Sequence, residues 1–288
     1  MDQRIADLIA LLDLEILEVN LFRGESRDIG NPQVFGGQVL GQALNAASRT
    51  VTDRMVHSLH AYFLRRGDFK APIIYQVDRS RDGHSFSNRR VIAIQHGEQI
   101  FNMTCSFQVE ESGLTHQVPM PQVPPPESLA DTSRVAPEHL ERLPERVRQL
   151  LQAPRPFEFR AVGPVDMSAA PGHAPSRQVW FRAVAPVPDD QTLQRCLLAY
   201  VSDFHLLETA TLPHHISHFS GKAQVASIDH AMWFHRPLRV DDWLLHAVES
   251  PNASGARGFA RADIFSRDGT LVASTAQEGL IRLTAPQP

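Results

Sequence analysis

Asp203 is the residue whose surroundings most demand a chemical explanation. It follows Leu197-Leu198-Ala199-Tyr200-Val201-Ser202 and precedes Phe204, an apolar run of helical character. A carboxylate there is costly to bury unless it is hydrogen-bonded or used. It is therefore either a structural aspartate at a helix end or a general base. Gln277 lies between Ala276 and Glu278 on the last strand-like stretch. A glutamine in such a strand ordinarily faces solvent, yet its amide can both donate to and accept from a water. Ser227, at the start of SIDHAMWFHRP, adds a hydroxyl that says little alone.

Other reactive side chains point elsewhere. His57, His60, His230 and His235 occupy two related strands, where histidines are mostly core or interface residues. His214, His215 and His218 follow Pro213, with no cysteine or carboxylate to complete a metal site. No metal and no cofactor are expected. Gly83-His84-Ser85-Phe86-Ser87 lacks the closing glycine of a nucleophile elbow. The glycines at 36, 37 and 41 do not make a dinucleotide fingerprint, and no βαβ unit frames them.

The elements that must position these residues occur twice. His60-Ala61-Tyr62-Phe63-Leu64 maps onto His230-Ala231-Met232-Trp233-Phe234 at an offset of 170, and Ile73 to Val77 keeps that offset to Trp243 to Ala247. One repetition at this spacing indicates a duplicated domain. Residues 4–19 carry apolar positions at helical spacing. The stretch 34–47 is small or apolar nearly all round and predicts a buried helix. Its glycines weaken an isolated helix by about 1 kcal/mol each relative to alanine, so close wrapping by a sheet is expected to compensate. Strands are predicted at 55–64, 73–79, 86–96 and 99–110, with His96-Gly97 as a hairpin turn. The second unit repeats the order, with a strand at 179–185, a helix at 192–209, and strands at 223–234, 242–250, 256–266 and 271–283. Asp268-Gly269 is the counterpart turn. Between them, residues 118–176 are proline-rich with one helical piece at 138–151, which predicts a linker. The divisions are 1–117, 118–176 and 177–288. The class is α+β, each unit a buried helix against a curved antiparallel sheet, the two sheets joined edge to edge.

Composition narrows the partners. The 28 basic and 32 acidic residues of 288 give a net charge of −4, which leaves no electrostatic case for nucleic acid or an anionic membrane. No apolar run reaches ~18 residues. Cys105 and Cys196, the only two cysteines, fall in different halves and are expected to be reduced core thiols. The N-terminal stretch is amphipathic rather than a signal peptide and the last residues form no peroxisomal address, so a cytoplasmic location is expected.

Six stretches, taken together, carry a specific resemblance: NLFRGES, QVFGGQVLGQAL, HSLHAYFLRRGD, YVSDFHLLETAT, SIDHAMWFHRP and AQEGLIR. They span about residues 20–282 outside the proline-rich middle, and the chain they build resembles the acyl-CoA thioesterase II family of double-hotdog hydrolases. The resemblance implies a double hotdog, hydrolysis of fatty acyl-CoA without a covalent intermediate, and catalytic Asp203, Ser227 and Gln277. It also implies an acyl-CoA partner and a homodimer or homotetramer. Ser227 stands where the family usually has threonine; the hydroxyl survives, but the β-branch that stiffens χ1 is lost. In the implied mechanism Asp203 takes a proton from a water held by Ser227 and Gln277. The Gly36-Gly37 helix start is a candidate oxyanion donor. Two rivals differ in kind. A hotdog enoyl-thioester hydratase would want Asp and His about five residues apart at a helix start, and a non-catalytic acyl-CoA binding protein would release no thiol.

Overall fold

Every strand among the described residues of the structure, a computed structural model, belongs to one antiparallel sheet, and two helices lie side by side against it. The residues described are 2–29, 33–132, 145, 148, 153–163, 174–214, 216 and 223–284. The N-terminal unit comprises α1 (Gln3–Leu12), β1 (Glu15–Glu18), β2 (Leu21–Gly24), α2 (Gly36–Ser48), β3 (Met55–Phe63), β4 (Ile73–Asp82), β5 (Phe86–Gln95) and β6 (Glu98–Gln108). The C-terminal part comprises β7 (Phe157–Ala161), β8 (Ser176–Ala183), α3 (Gln191–Ser202), α4 (Leu206–Thr211), β9 (Ala223–Ser227), β10 (Asp229–Phe234), β11 (Leu244–Ser254), β12 (Arg257–Ser266) and β13 (Leu271–Leu283).

The sheet order is β1-β2-β4-β5-β6-β3-β10-β13-β12-β11-β8-β7, with β9 added to β13. The two halves meet at β3 and β10, the strands that carry the repeated motif. They run antiparallel with Ala61 opposite His230 and Ser58 opposite Trp233. Alternation along β3 buries Leu59 and Ala61 and leaves His60 and Tyr62 outside. The expected edge-to-edge joining is thus a single register, with the helices on the inner face. His96 and Gly97, at φ 51° and 77°, make the predicted two-residue hairpin, since both positions of this turn need left-handed backbone.

Four predicted elements differ from those observed. The N-terminal helix stops at Leu12, where Asp13 turns extended, and 15–24 form the edge hairpin β1–β2 with Asn20 at φ 61°. The apolar spacing of Ile16 and Val19 suggested more helix, yet both side chains are exposed. The helix at 192–209 is two helices, and the strand at 223–234 is two strands interrupted at Ile228. Within the proline-rich middle, β7 pairs with β8 and forms the far edge of the sheet. The helical piece at 138–151 lies outside the described residues except for Glu145 and Arg148, both helical. His215 and His218 are also outside them.

The glycines of α2 are explained by the close approach of the other helix at 37 and 41, and at 36 by Asp203 and by Phe63 of β3. A Cβ on Gly37 would strike the Tyr200 carbonyl oxygen, and one on Gly41 would lie 3.0 Å from that of Cys196. Position 37 beside 200 and 41 beside 196 means that α2 and α3 run antiparallel in backbone contact. Gln42, fully buried, donates to the carbonyls of Leu11 (2.6 Å) and Glu25 (2.9 Å) and accepts from the Tyr75 hydroxyl (2.7 Å), which holds α2 in place. Both cysteines are buried and unpaired, and burial pushes the Cys196 thiol up to about 12. Among the described residues no helix is long and apolar enough to cross a membrane.

Candidate active site

α3 begins where Asp190 accepts from the Thr192 backbone N–H at 2.8 Å and buries every residue from Gln194 to Ser202. It ends at Asp203, whose backbone is still helical, because His205 adopts a left-handed φ of 70° two residues on. The break is what turns Asp203 out of an apolar helix. A carboxylate at the negative end of its own helix is poorly placed. The antiparallel neighbour corrects this: the N-terminus of α2 is presented instead, and the Gly37 N–H donates to Asp203 Oδ2 at 3.0 Å. The helix start read as an oxyanion donor therefore has its Gly37 amide taken up by the carboxylate.

Gln277 reaches the other oxygen. Its Nε2 donates to Asp203 Oδ1 at 3.2 Å and to Ser227 Oγ at 2.6 Å. The side chain does not face solvent, being 1% exposed on β13. Asp203, Ser227 and Gln277 thus converge, drawn from a helix end and two strands. Ser227 closes β9 opposite Gly279, and the Ile228 N–H donates to Glu278 O at 2.9 Å before β10 resumes. This interruption changes the strand's parity, so that Ser227 and His230, three residues apart, both face Gln277. In a regular strand they would point to opposite sides.

His230 was expected to be a core residue, and it is buried, but it is also bonded into the site. Its Nδ1 lies 3.1 Å from Gln277 Oε1 and its Nε2 3.1 Å from Ser202 Oγ. Burial pushes its basicity below the ordinary histidine value, with Asp203 opposing. The cross-strand register that joins His230 to Gln277 is a property of the sheet and left no local signal. His57 and His235 bond to Ser106 and Ser274 hydroxyls, and His60 packs edge-on to Trp233. His205 turns to Arg177 and Glu208. Phe204 follows Asp203 and its ring lies 4.6 Å from that of Phe35, while Phe63 and Asp203 Oδ2 both pack against Gly36.

Residues 23–108 match the acyl-CoA thioesterase N-terminal domain and residues 155–280 match the acyl-CoA thioesterase family. The chain is 47% identical to acyl-CoA thioesterase 2 of Haemophilus influenzae, over 96% of this chain and 98% of that one. The chain belongs to the acyl-CoA thioesterase II family. As a member of that family it is a thioester hydrolase. Human acyl-coenzyme A thioesterase 8 is 41% identical over 98% of this chain and 91% of its own length. An acyl-CoA thioesterase II crystal structure from Mycobacterium marinum superposes with TM-score 0.79 at 43% identity, covering 97% of this thioesterase and all of that one. A hot dog fold protein from Alicyclobacillus acidocaldarius superposes at 0.77 with 19% identity over 97% and 99% of the two chains, a likeness of fold alone. The α+β hotdog architecture expected from the repeated helix and sheet is the one observed.

Proposed function

We propose that this thioesterase hydrolyses fatty acyl-CoA to free fatty acid and CoA, with Asp203 as general base toward a water held by Ser227 and Gln277. The bridge formed by the Gln277 amide between Asp203 Oδ1 and Ser227 Oγ carries the reading. A base, a hydroxyl and an amide joined in this way suit a single water, and Phe63 and Phe35, near Gly36 and Phe204, suit an acyl chain. Asp203 takes a proton as the water oxygen attacks the thioester carbonyl. The tetrahedral species collapses with loss of the C–S bond, and the proton goes to the departing CoA sulfur. The fatty acid leaves as carboxylate with release of one proton, so no acyl-enzyme forms. General-base assistance of this kind contributes typically ~10²–10⁴-fold.

The test is release of CoA thiol from palmitoyl-CoA, followed with a thiol-trapping reagent, for native protein and Asp203→Asn. The amide keeps the shape but not the basicity. We expect kcat to fall about 10²–10⁴-fold with palmitoyl-CoA binding retained. Native-like turnover in the variant removes Asp203 from the mechanism. Saturable binding with no thiol released by native protein would reduce the molecule to an acyl-CoA carrier.

A further inference from the structure

A terminal amide can be inserted in either of two senses, and only one serves the site. With Gln277 Nε2 toward Asp203 and Ser227, two N–H groups meet two acceptors. Reversed, its oxygen would oppose the Asp203 carboxylate. Something must hold the sense, because rotating the amide by half a turn costs little in itself.

The remaining atom, Oε1, faces His230 Nδ1 at 3.1 Å. A carbonyl oxygen has no hydrogen to offer, so Nδ1 must carry the proton. Nε2 is then a lone pair, and the Ser202 hydroxyl at 3.1 Å donates to it. That hydroxyl also lies 3.0 Å from Ala199 O. If its hydrogen went there alone, Nε2 would need the proton, and Nδ1 would turn a lone pair on the Gln277 oxygen. With a neutral ring and the amide in this sense, the bonds run from Ser202 to His230 to Gln277 to Asp203 and Ser227, the Ser202 hydrogen being shared between His230 Nε2 and Ala199 O. All of Ser202, His230 and Gln277 are 1% exposed, so water cannot substitute for a missing partner without entering the core. Burial favours the neutral ring, which has one N–H to give.

We infer that His230 is a positioning residue, which donates from Nδ1 to Gln277 Oε1 and so fixes the glutamine with its NH₂ toward Asp203 and Ser227. It is buried behind Gln277 and reaches the reaction only through it. The inference rests on the role given to Gln277 in the proposed reaction, where its NH₂ fixes the water's position by holding Asp203 and Ser227 around it.

The test is a double-mutant cycle on palmitoyl-CoA hydrolysis, with His230→Leu, His230→Asn, Gln277→Ala and His230→Leu/Gln277→Ala. Asparagine keeps a donor where Nδ1 stands; leucine keeps bulk alone. We expect His230→Leu to lower kcat about 10–100-fold with KM within about twofold, and His230→Asn to recover to within about fivefold of native. In the Gln277→Ala background, His230→Leu should cost less than about twofold further, because two residues acting as one unit do not add. Equal losses for Leu and Asn would overturn the inference, as would a full further loss in that background. Native kcat for Gln277→Ala itself would instead overturn the water-positioning role and the inference with it. Should His230→Leu fail to fold, Ser202→Ala carries the same test. It frees Nε2, and a several-fold loss in kcat is expected that vanishes in Gln277→Ala; persistence there overturns the inference.

Discussion

Asp203 Oδ2 accepts the Gly37 backbone N–H at 3.0 Å, so the carboxylate that ends one unit's helix is held by the start of the other's. The contact requires the antiparallel approach of α2 and α3, and that approach requires glycine.

Gly37→Ala would drive its Cβ into the Tyr200 carbonyl oxygen, a backbone atom with no rotamer to escape by. Overpacking of a rigid site costs typically 1–3 kcal/mol. The expected loss is about 3 kcal/mol in chemical denaturation, together with a fall in kcat. Gly36→Ala would place its Cβ 2.7 Å from Asp203 Oδ2. There the side chain can yield, so kcat is expected to fall more than stability does. Native kinetics in Gly36→Ala would show that the carboxylate's position is not critical.

Ser227 separates the hydroxyl's role from its stiffness. Ser227→Ala removes the acceptor of the 2.6 Å bond from Gln277, and a loss in kcat of about 10–100-fold is expected. Ser227→Thr keeps the oxygen and restricts χ1, with an expected change of no more than about threefold. Equal kinetics for Ala and Thr would show that the hydroxyl does nothing.

Arg89 offers a control in the N-terminal unit, where a buried charge has no chemistry. It is 1% exposed and donates to Thr50 Oγ1, to the Arg81 and Asn88 carbonyls and to Asp82. Arg89→Met strands those acceptors. Leaving a buried acceptor unpaired costs about 1–3 kcal/mol, whereas the Asp82 carboxylate, 53% exposed, regains water. Urea denaturation should report the loss while kcat per folded molecule stays native. A parallel fall in kcat would tie Arg89 to the site.

Acid should destabilise the fold through His246. Burial pushes this ring down to about 3, against an ordinary value of ~6.5. Between those values the unfolded chain binds a proton that the folded one excludes, so stability rises with pH and is lost as pH falls below ~6.5. At ~1.4 kcal/mol per unit, His246 alone accounts for about 2–3 kcal/mol between pH 6.5 and 4.5. Melting temperature measured against pH should flatten in His246→Leu. An unchanged acid slope in that variant would assign the effect to other groups. His230, His57 and His235 are lowered in the same direction by burial and add to the same acid slope.

Local pattern and internal repetition settled the class of fold before any coordinate. The buried helix α2, the strands from β3 to β6 and their His96-Gly97 turn follow from composition and period, and the offset of 170 between the two motifs implies a second copy. The six matching stretches pointed to Asp203, Ser227 and Gln277 as well. What the chain alone could not decide is orientation. Ile16 and Val19 kept helical spacing but belong to an edge hairpin, because their environment is solvent rather than a core face. The stretches at 192–209 and 223–234 look continuous, yet the breaks at Phe204-His205 and Ile228 are what aim Asp203 and bring Ser227 and His230 to one side. The compensation for the glycines of α2, the partner for Asp203 at Gly37 and the bond from His230 to Gln277 all join residues remote in sequence. Periodicity reports which face of an element is buried, whereas a hydrogen bond between two elements depends on their mutual register, and that is set only when helices and sheet pack together.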